Sequence, residues 1–344
     1  MGHWTGVKHH ATSAKAGDAW PSSVHDARRF ITSRIAGSTT VEELATDGSR
    51  YGRADDPAVI VEPDVIEGTV FGARVVPRSG QTPGYSAFGA FVDGTQSIGI
   101  VNQVGGIPIV WATVSAAVRV RVNRRLVAWQ RFPPAVERRY YVPFRYLDDL
   151  DSAFLNHPQV VDTAAVNSQG KFPSRHPAAL MESAVQSVQR DRELLEQRLA
   201  ESWCSTERSA LFIDGSITSS AAISTSWLAV GVVKTHRRLY ADGDAFRALA
   251  ALGAGERSSV FRVSPRARHA VASWYLRIRK PAGRDALFGL VRVEVADGGD
   301  IAARADEVSG WILAEGAPLA MPDGRWDKLA YGIRDTEEFL RAIS

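Results

Sequence analysis

The residues best suited to chemistry are two aspartates, each ending an apolar run and followed at once by glycine and a hydroxyl residue. They are Asp93 in Ala90-Phe91-Val92-Asp93-Gly94-Thr95 and Asp214 in Leu211-Phe212-Ile213-Asp214-Gly215-Ser216. A buried strand delivers its last side chain to a fixed place at a sheet edge. The glycine then lets the backbone turn away and leaves room for a ligand. A single Asp-Gly pair is an ordinary turn signal. Two in matching contexts, remote in the chain, point to two carboxylates brought to one divalent-metal site.

The elements that must position them are legible as changes of period. Strands are expected at 58–61 and 68–71, and after Asp93 at 97–101, 107–121 and 126–132, with a hairpin turn at Asn123-Arg124. The longest helical stretch, 178–203, carries the stripe Leu180, Ala184, Val188, Leu195 and Leu199, and leads into the second Asp-Gly strand. An apolar run at 227–233 ends in Lys234-Thr235-His236-Arg237-Arg238, strands recur at 273–279 and 287–295, and helices at 301–313 and 335–343. No regular βαβ alternation and no short repeat is present, so the expected class is mixed α/β (α+β), with a largely antiparallel sheet flanked by helices. Upstream, 1–23 reads as a polar tail containing His9-His10. Residues 24–57 read as a helical arm whose helix, 24–35, is capped by Ser22 or Ser23. The Pro/Gly/Ser-rich stretch 77–86 has the composition of a mobile loop over a site.

Composition narrows the class. The 344 residues are 45% hydrophobic and 23% charged, as in a water-soluble globular chain, with a net charge of +3. The basic residues are mainly arginine, which favours bidentate phosphate contacts. One cysteine, Cys204, excludes an internal disulfide and a multi-cysteine zinc site. No apolar run approaches the ~20 residues that span a bilayer, and 1–23 lacks the apolar core of a secretion signal, so a cytoplasmic protein without membrane contact is expected. Arg119 and Arg121 alternate onto one face of a strand, either as a solvated face or as part of a phosphate-tracking patch.

Together these motifs resemble the NurA nucleases, a family of ribonuclease H-like fold. The resemblance rests on Phe91-Val92-Asp93-Gly94-Thr95, Leu211-Phe212-Ile213-Asp214-Gly215-Ser216, Val230-Gly231-Val232-Val233-Lys234 and Leu290-Val291-Arg292-Val293-Glu294. It makes 58–344 a single nuclease domain. It implies a metal-dependent deoxyribonuclease that processes DNA ends, holding Mn2+ or Mg2+ through Asp93 and Asp214. It also implies a homodimer working with a HerA-like hexameric ATPase in DNA repair or anti-phage defence. The chain has no Gly-x-x-x-x-Gly-Lys-Ser/Thr loop, so such a motor would be a separate protein.

The resemblance further implies a third acid on the helix before the second Asp-Gly strand, which here is Glu193 or Glu196. The family's C-terminal histidine, after proline, leucine and alanine, is absent: Pro322, Leu329 and Ala330 are followed by Tyr331. Asp327, one helical turn earlier, can supply an oxygen ligand in its place or cap a helix. Lys234 at the end of an apolar run needs an anion, either phosphate or a site carboxylate. Arg237, Arg119, Arg121 and Arg292 are the further candidates for nucleic-acid contact, Arg292 also as a partner for Glu294. Two other readings stand beside this one: a catalytically inactive nucleic-acid-binding scaffold for an ATPase, and a ribonuclease H-like enzyme of PIWI type.

Overall fold

Ser23 caps α1 (Val24–Arg34) by accepting the Asp26 N–H, and the helix buries Ala27 and Ile31. The computed structural model describes residues 20–40, 58–77, 86–123, 125–148, 150, 152–166, 170–265, 268–280, 286–316 and 330–344. Most of the expected tail, the later part of the arm, the 77–86 loop apart from its ends, Arg124 and Asp327 lie outside the described residues.

After α1 come β1 (Ser38–Thr40), β2 (Val59–Ile60), β3 (Asp64–Val65) and β4 (Ala73–Val75). Two long strands follow, β5 (Phe88–Val104) and β6 (Ile107–Val122), then β7 (Arg125–Ala128) and β8 (Ala135–Val142). The short helix α2 (Ser152–Leu155) and β9 (Val160–Asp162) precede the longest helix, α3 (Pro177–Thr206). Next are β10 (Ala210–Asp214), α4 (Ala221–Ser224), β11 (Ala229–Val233), β12 (Arg238–Leu239) and α5 (Gly243–Ala251). The chain continues with β13 (Glu256–Ser258), β14 (Phe261–Val263), β15 (Val271–Arg277), β16 (Leu290–Val295), α6 (Ile301–Ala314) and α7 (Tyr331–Ile343). The class is mixed α/β: a large, mostly antiparallel sheet flanked by helices, into which parallel pairs are set at β5–β10–β11.

The chain divides into two units that interleave along the sequence. The first comprises 1–51, 98–112 and 138–187. Its core gathers Ala27, Ile31, Trp111, Tyr140, Phe154 and Leu180. The Tyr140 hydroxyl donates to the Ala27 carbonyl at 2.6 Å, and Trp20 stacks on His157 at 3.9 Å. Buried tyrosine needs such a partner, and this one fixes α1 against β8.

The second unit comprises 52–97, 113–137 and 188–344, and in it the strands run in the order β3-β14-β15-β16-β11-β10-β5-β6. Alternation assigns the faces. Phe91, Phe212, Val230, Val232, Val293 and Trp274 join Val308 and Ile312 of α6 and Ile333 of α7 in one apolar cluster. The Trp274 indole donates to Ser309 of α6 at 2.9 Å. Phe91 and Phe212 lie two residues before Asp93 and Asp214, so both aspartates belong to this helix-covered face.

The hairpin turn expected at Asn123 is present, with Asn123 at φ 49°, a left-handed conformation asparagine tolerates. Two elements depart from expectation: 68–71 forms no strand but lies between β3 and β4, and β5 overruns its expected end. The strand carrying Asp93 does not end there but runs on through Gly94 to Val104. Gly94 is extended rather than left-handed, and Thr95 and Ser115 hold β5 to β6 across a 2.9 Å hydroxyl contact. The ladder to β6 thus outweighs the turn preference of the dipeptide.

Candidate metal centre

β10 is parallel to β5 and pairs Ile213 with Val92, so one step further Asp214 and Asp93 stand abreast on the same face. β10 is also parallel to β11, pairing Asp214 with Val232, which places Lys234 two residues on and on that face again. The Lys234 ammonium meets Asp214 Oδ2 at 2.7 Å with 5% of its side chain exposed. Lys234 thus meets the site carboxylate, one of the two anions expected for it.

A third acid comes from α7. Carboxylate oxygens of Asp93, Asp214 and Glu337 all lie within 4.8 Å of one another. α7 is held in register by three devices. Gly332 lies flat on Phe91, where a Cβ would enter the ring. Asp335 pairs with Arg119 of β6 at 2.9 Å, and Ser344 meets Ser115 of β6 at 2.7 Å. These fix which side of the helix faces the sheet, with Ile333, Thr336 and Leu340 buried and Glu337 beside them.

α3 reaches the opposite face, where Gly94 points. A Cβ at Gly94 would fall on the Glu196 carboxylate and lie 2.9 Å from the Ser115 carbonyl. The room left by this glycine is therefore taken by Glu196. Arg192, one turn earlier on α3, forms a close ion pair with Glu196 and hydrogen-bonds Gln96 at 3.3 Å. Glu193, the alternative to Glu196, is exposed, accepts from Gln189 and lies outside the acid group.

The second Asp-Gly step does turn. Gly215 has φ 141°, and its N–H donates to Val232 O at 3.1 Å. A Cβ on Gly231 would lie 2.7 Å from the Gly215 carbonyl, so the loop settles on β11 only because that residue is glycine. Fully buried Glu294 of β16 then accepts from Ser216 Oγ at 2.8 Å and from Ile217 N at 2.9 Å. Arg292 lies 2.7 Å from Glu294 and over the Tyr240 ring, so it serves the site from behind.

The remaining candidate cations are distributed differently. Arg119 is engaged by Asp335, the Leu126 carbonyl and the Phe339 ring, and Arg121 by both Glu315 oxygens and the Phe88 carbonyl. Both bind within the unit and are only partly exposed. Arg237 is exposed just past β11.

Burial and mutual repulsion set the electrostatics of this acid cluster. Burial pushes the Asp93 carboxyl well above its ordinary range, and Asp214, Glu196 and Glu337 push it further, against the opposing Lys234. Burial likewise raises Glu196 to about 7, opposed by Arg192 and reinforced by Asp214. Asp93 Oδ1 accepts the Gly94 N–H at 2.8 Å, while its Oδ2 is buried with no hydrogen-bond partner. An acceptor buried this way costs free energy unless something positive meets it. The donor set is all oxygen, which suits hard Mg2+ or Mn2+ rather than zinc. The residues present thus fit the divalent ion expected of them.

Glu337 carries no sequence motif, and its spacing becomes a signal only once the buried face of α7 is known. It is four residues after buried Ile333 and three before buried Leu340, on the edge of the inward stripe. Among the described residues, no helix is long and apolar enough to cross a membrane. No protein-family model matches the chain, and a search of curated proteins finds no match.

Proposed function

We propose that the protein is a divalent-metal-dependent phosphodiesterase acting on DNA, with a ribonuclease H-like active centre of the NurA kind. The observation that carries this reading is the meeting of Asp93, Asp214 and Glu337 oxygens within 4.8 Å, with Asp93 Oδ2 buried and unmet. Support also comes from the motifs that resemble the NurA nucleases, in which the two aspartates hold metal. Homodimerisation and work beside a HerA-like hexameric ATPase, in repair or phage defence, belong to the same proposal.

Asp93, Asp214 and Glu337 would hold one or two Mg2+ or Mn2+ ions. Bound there, such an ion supplies a water of lowered pKa and charge neutralisation at the scissile phosphate. Lys234 holds Asp214 in place through their ion pair, and its ammonium adds positive charge where a phosphodiester would sit. Glu196, held by Arg192, can accept a proton close to neutral pH. Glu294 and Gly231 fix the loop after Asp214, so the carboxylate needs little reorganisation. Glu337 would take the place of the histidine missing after Ala330, and the 59% exposure of Tyr331 leaves that residue no part in the centre.

The inactive-scaffold reading fits poorly with acids packed at this density, because burying them without a catalytic or metal-binding return only weakens the fold. Purified protein incubated with linear and circular DNA should cleave with Mn2+ and not with chelator. Asp93→Ala and Asp214→Ala should each abolish cleavage. Cleavage that survives either substitution would assign the activity to other residues.

A further inference from the structure

Strand directions in the second unit bring a second feature to the same end of the sheet as Asp214. β11 runs parallel to β10, and the segment leaving its C-terminal end is Lys234-Thr235-His236-Arg237-Arg238. β16 is antiparallel to β11 and to β15, so the β15–β16 connection emerges at that end too. It carries Arg279 and Lys280, two and three residues past the end of β15. The two segments are joined: His236 Nε2 lies 2.8 Å from the Leu290 carbonyl at the start of β16.

The connection is braced as well. Ile278 N donates to Gly289 O at 2.7 Å, and Gly289, at φ 63°, lies against the Arg279 backbone where a Cβ would not fit. Thr235, Arg237, Arg238 and Lys280 are exposed. Neither segment carries an acid among its described residues, and the next one along, Asp242, is occupied capping Gly243 N at 2.7 Å. Buried acids and an exposed basic edge thus occupy one end of the sheet.

We propose that this edge, Arg237 and Arg238 on one side and Lys280 on the other, is a track for the phosphate backbone of a nucleic-acid strand whose cleaved bond lies at the acid centre. The inference rests on the nuclease reading and adds to it the path of the substrate. Phosphates on this track would be bound without sequence preference, since exposed Arg and Lys side chains at a strand end meet backbone charge rather than base edges. The acid centre alone repels a polyanion, so affinity has to come from a neighbouring positive surface.

The test separates binding from chemistry. Binding of fluorescein-labelled single-stranded and duplex oligonucleotides is measured by anisotropy in chelator, across a salt series. Hydrolysis of a small phosphodiester, bis(p-nitrophenyl) phosphate, is measured in Mn2+. Arg238→Glu with Lys280→Glu should weaken oligonucleotide binding by at least about tenfold and flatten the salt dependence by the equivalent of about two phosphates. Small-diester hydrolysis should be unchanged. Arg208→Glu, exposed just before β10 at the opposite strand end, should alter neither. Wild-type affinity and salt slope in the double variant, or no oligonucleotide binding by the wild type, would overturn the track. Failure of the wild type to hydrolyse either substrate would overturn the nuclease reading and with it the placing of the cleaved bond, while the binding comparison, made in chelator, decides the basic track by itself.

Discussion

Asp93-Gly94 and Asp214-Gly215 are the same dipeptide put to opposite uses. At Asp214 the strand stops, Gly215 adopts φ 141°, and the chain leaves along a loop that Glu294 holds. At Asp93 the strand continues, and Gly94 matters for what it lacks: its missing Cβ admits the Glu196 carboxylate. One glycine is selected for its backbone and the other for its size. A motif therefore reports that an aspartate will be presented, but the neighbouring strand decides how.

That difference predicts unequal consequences for the same substitution. Gly94→Ala forces Glu196 and the Ser115 carbonyl apart. It should cost about 1–3 kcal/mol of stability as overpacking does, together with nearly all nuclease activity. Gly215→Ala meets no atom within 4 Å. Its cost is backbone strain alone, with partial activity retained. Urea unfolding beside initial cleavage rates checks both, and equal losses of activity would erase the distinction.

Lys234→Met sharpens the same contrast, because Lys234 serves Asp214 directly. Leaving that carboxylate without its partner should destabilise the protein by about 3 kcal/mol in chelator. The loss should shrink in Mn2+, where the ion replaces the missing charge. A loss of stability unaffected by Mn2+ would mean that Asp214 does not meet the ion.

Glu337→Gln should lower Mn2+ affinity by at least about tenfold with little change in melting temperature, whereas Glu193→Gln should change neither. Isothermal titration calorimetry reads the first and thermal scanning the second.

The smallest effect is on pH. Glu196 moves from an ordinary 4.5 when unfolded to about 7 when folded, and Asp93 moves in the same direction. Between these values the folded chain holds protons that the unfolded chain releases, so stability is fullest below about 4.5 and falls as pH rises towards 7. Urea midpoints measured in chelator from pH 5 to 7.5 should decline through this contribution, and saturating Mn2+ should remove the decline. A rise in chelator would contradict the burial of these acids.

Much of this was legible beforehand, for physical reasons. A five-residue apolar strand ending in Asp214, with glycine next, has few ways to fold, and Ser23 before an apolar-periodic run caps a helix wherever it occurs. The continuation of β5 past Gly94 was not legible, because it depends on a partner strand and on the hydroxyl contact of Thr95 with Ser115. Nor was Glu337, which sits among Asp335 and Glu338 in a helix whose rotation is set by Gly332 against Phe91. The arginines at 119 and 121 show the same limit: their spacing placed them on one face, while only tertiary packing supplied Asp335 and Glu315 as partners.

The most direct measurement of the central claim is Mn2+ binding to the wild type and to Asp93→Asn, Asp214→Asn and Glu337→Gln, by calorimetry on the full chain. Saturable binding in the wild type, weakened by every one of the three substitutions, is the expected result. Affinity unchanged by any of them, or no binding to the wild type, would mean that these carboxylates do not form a metal centre.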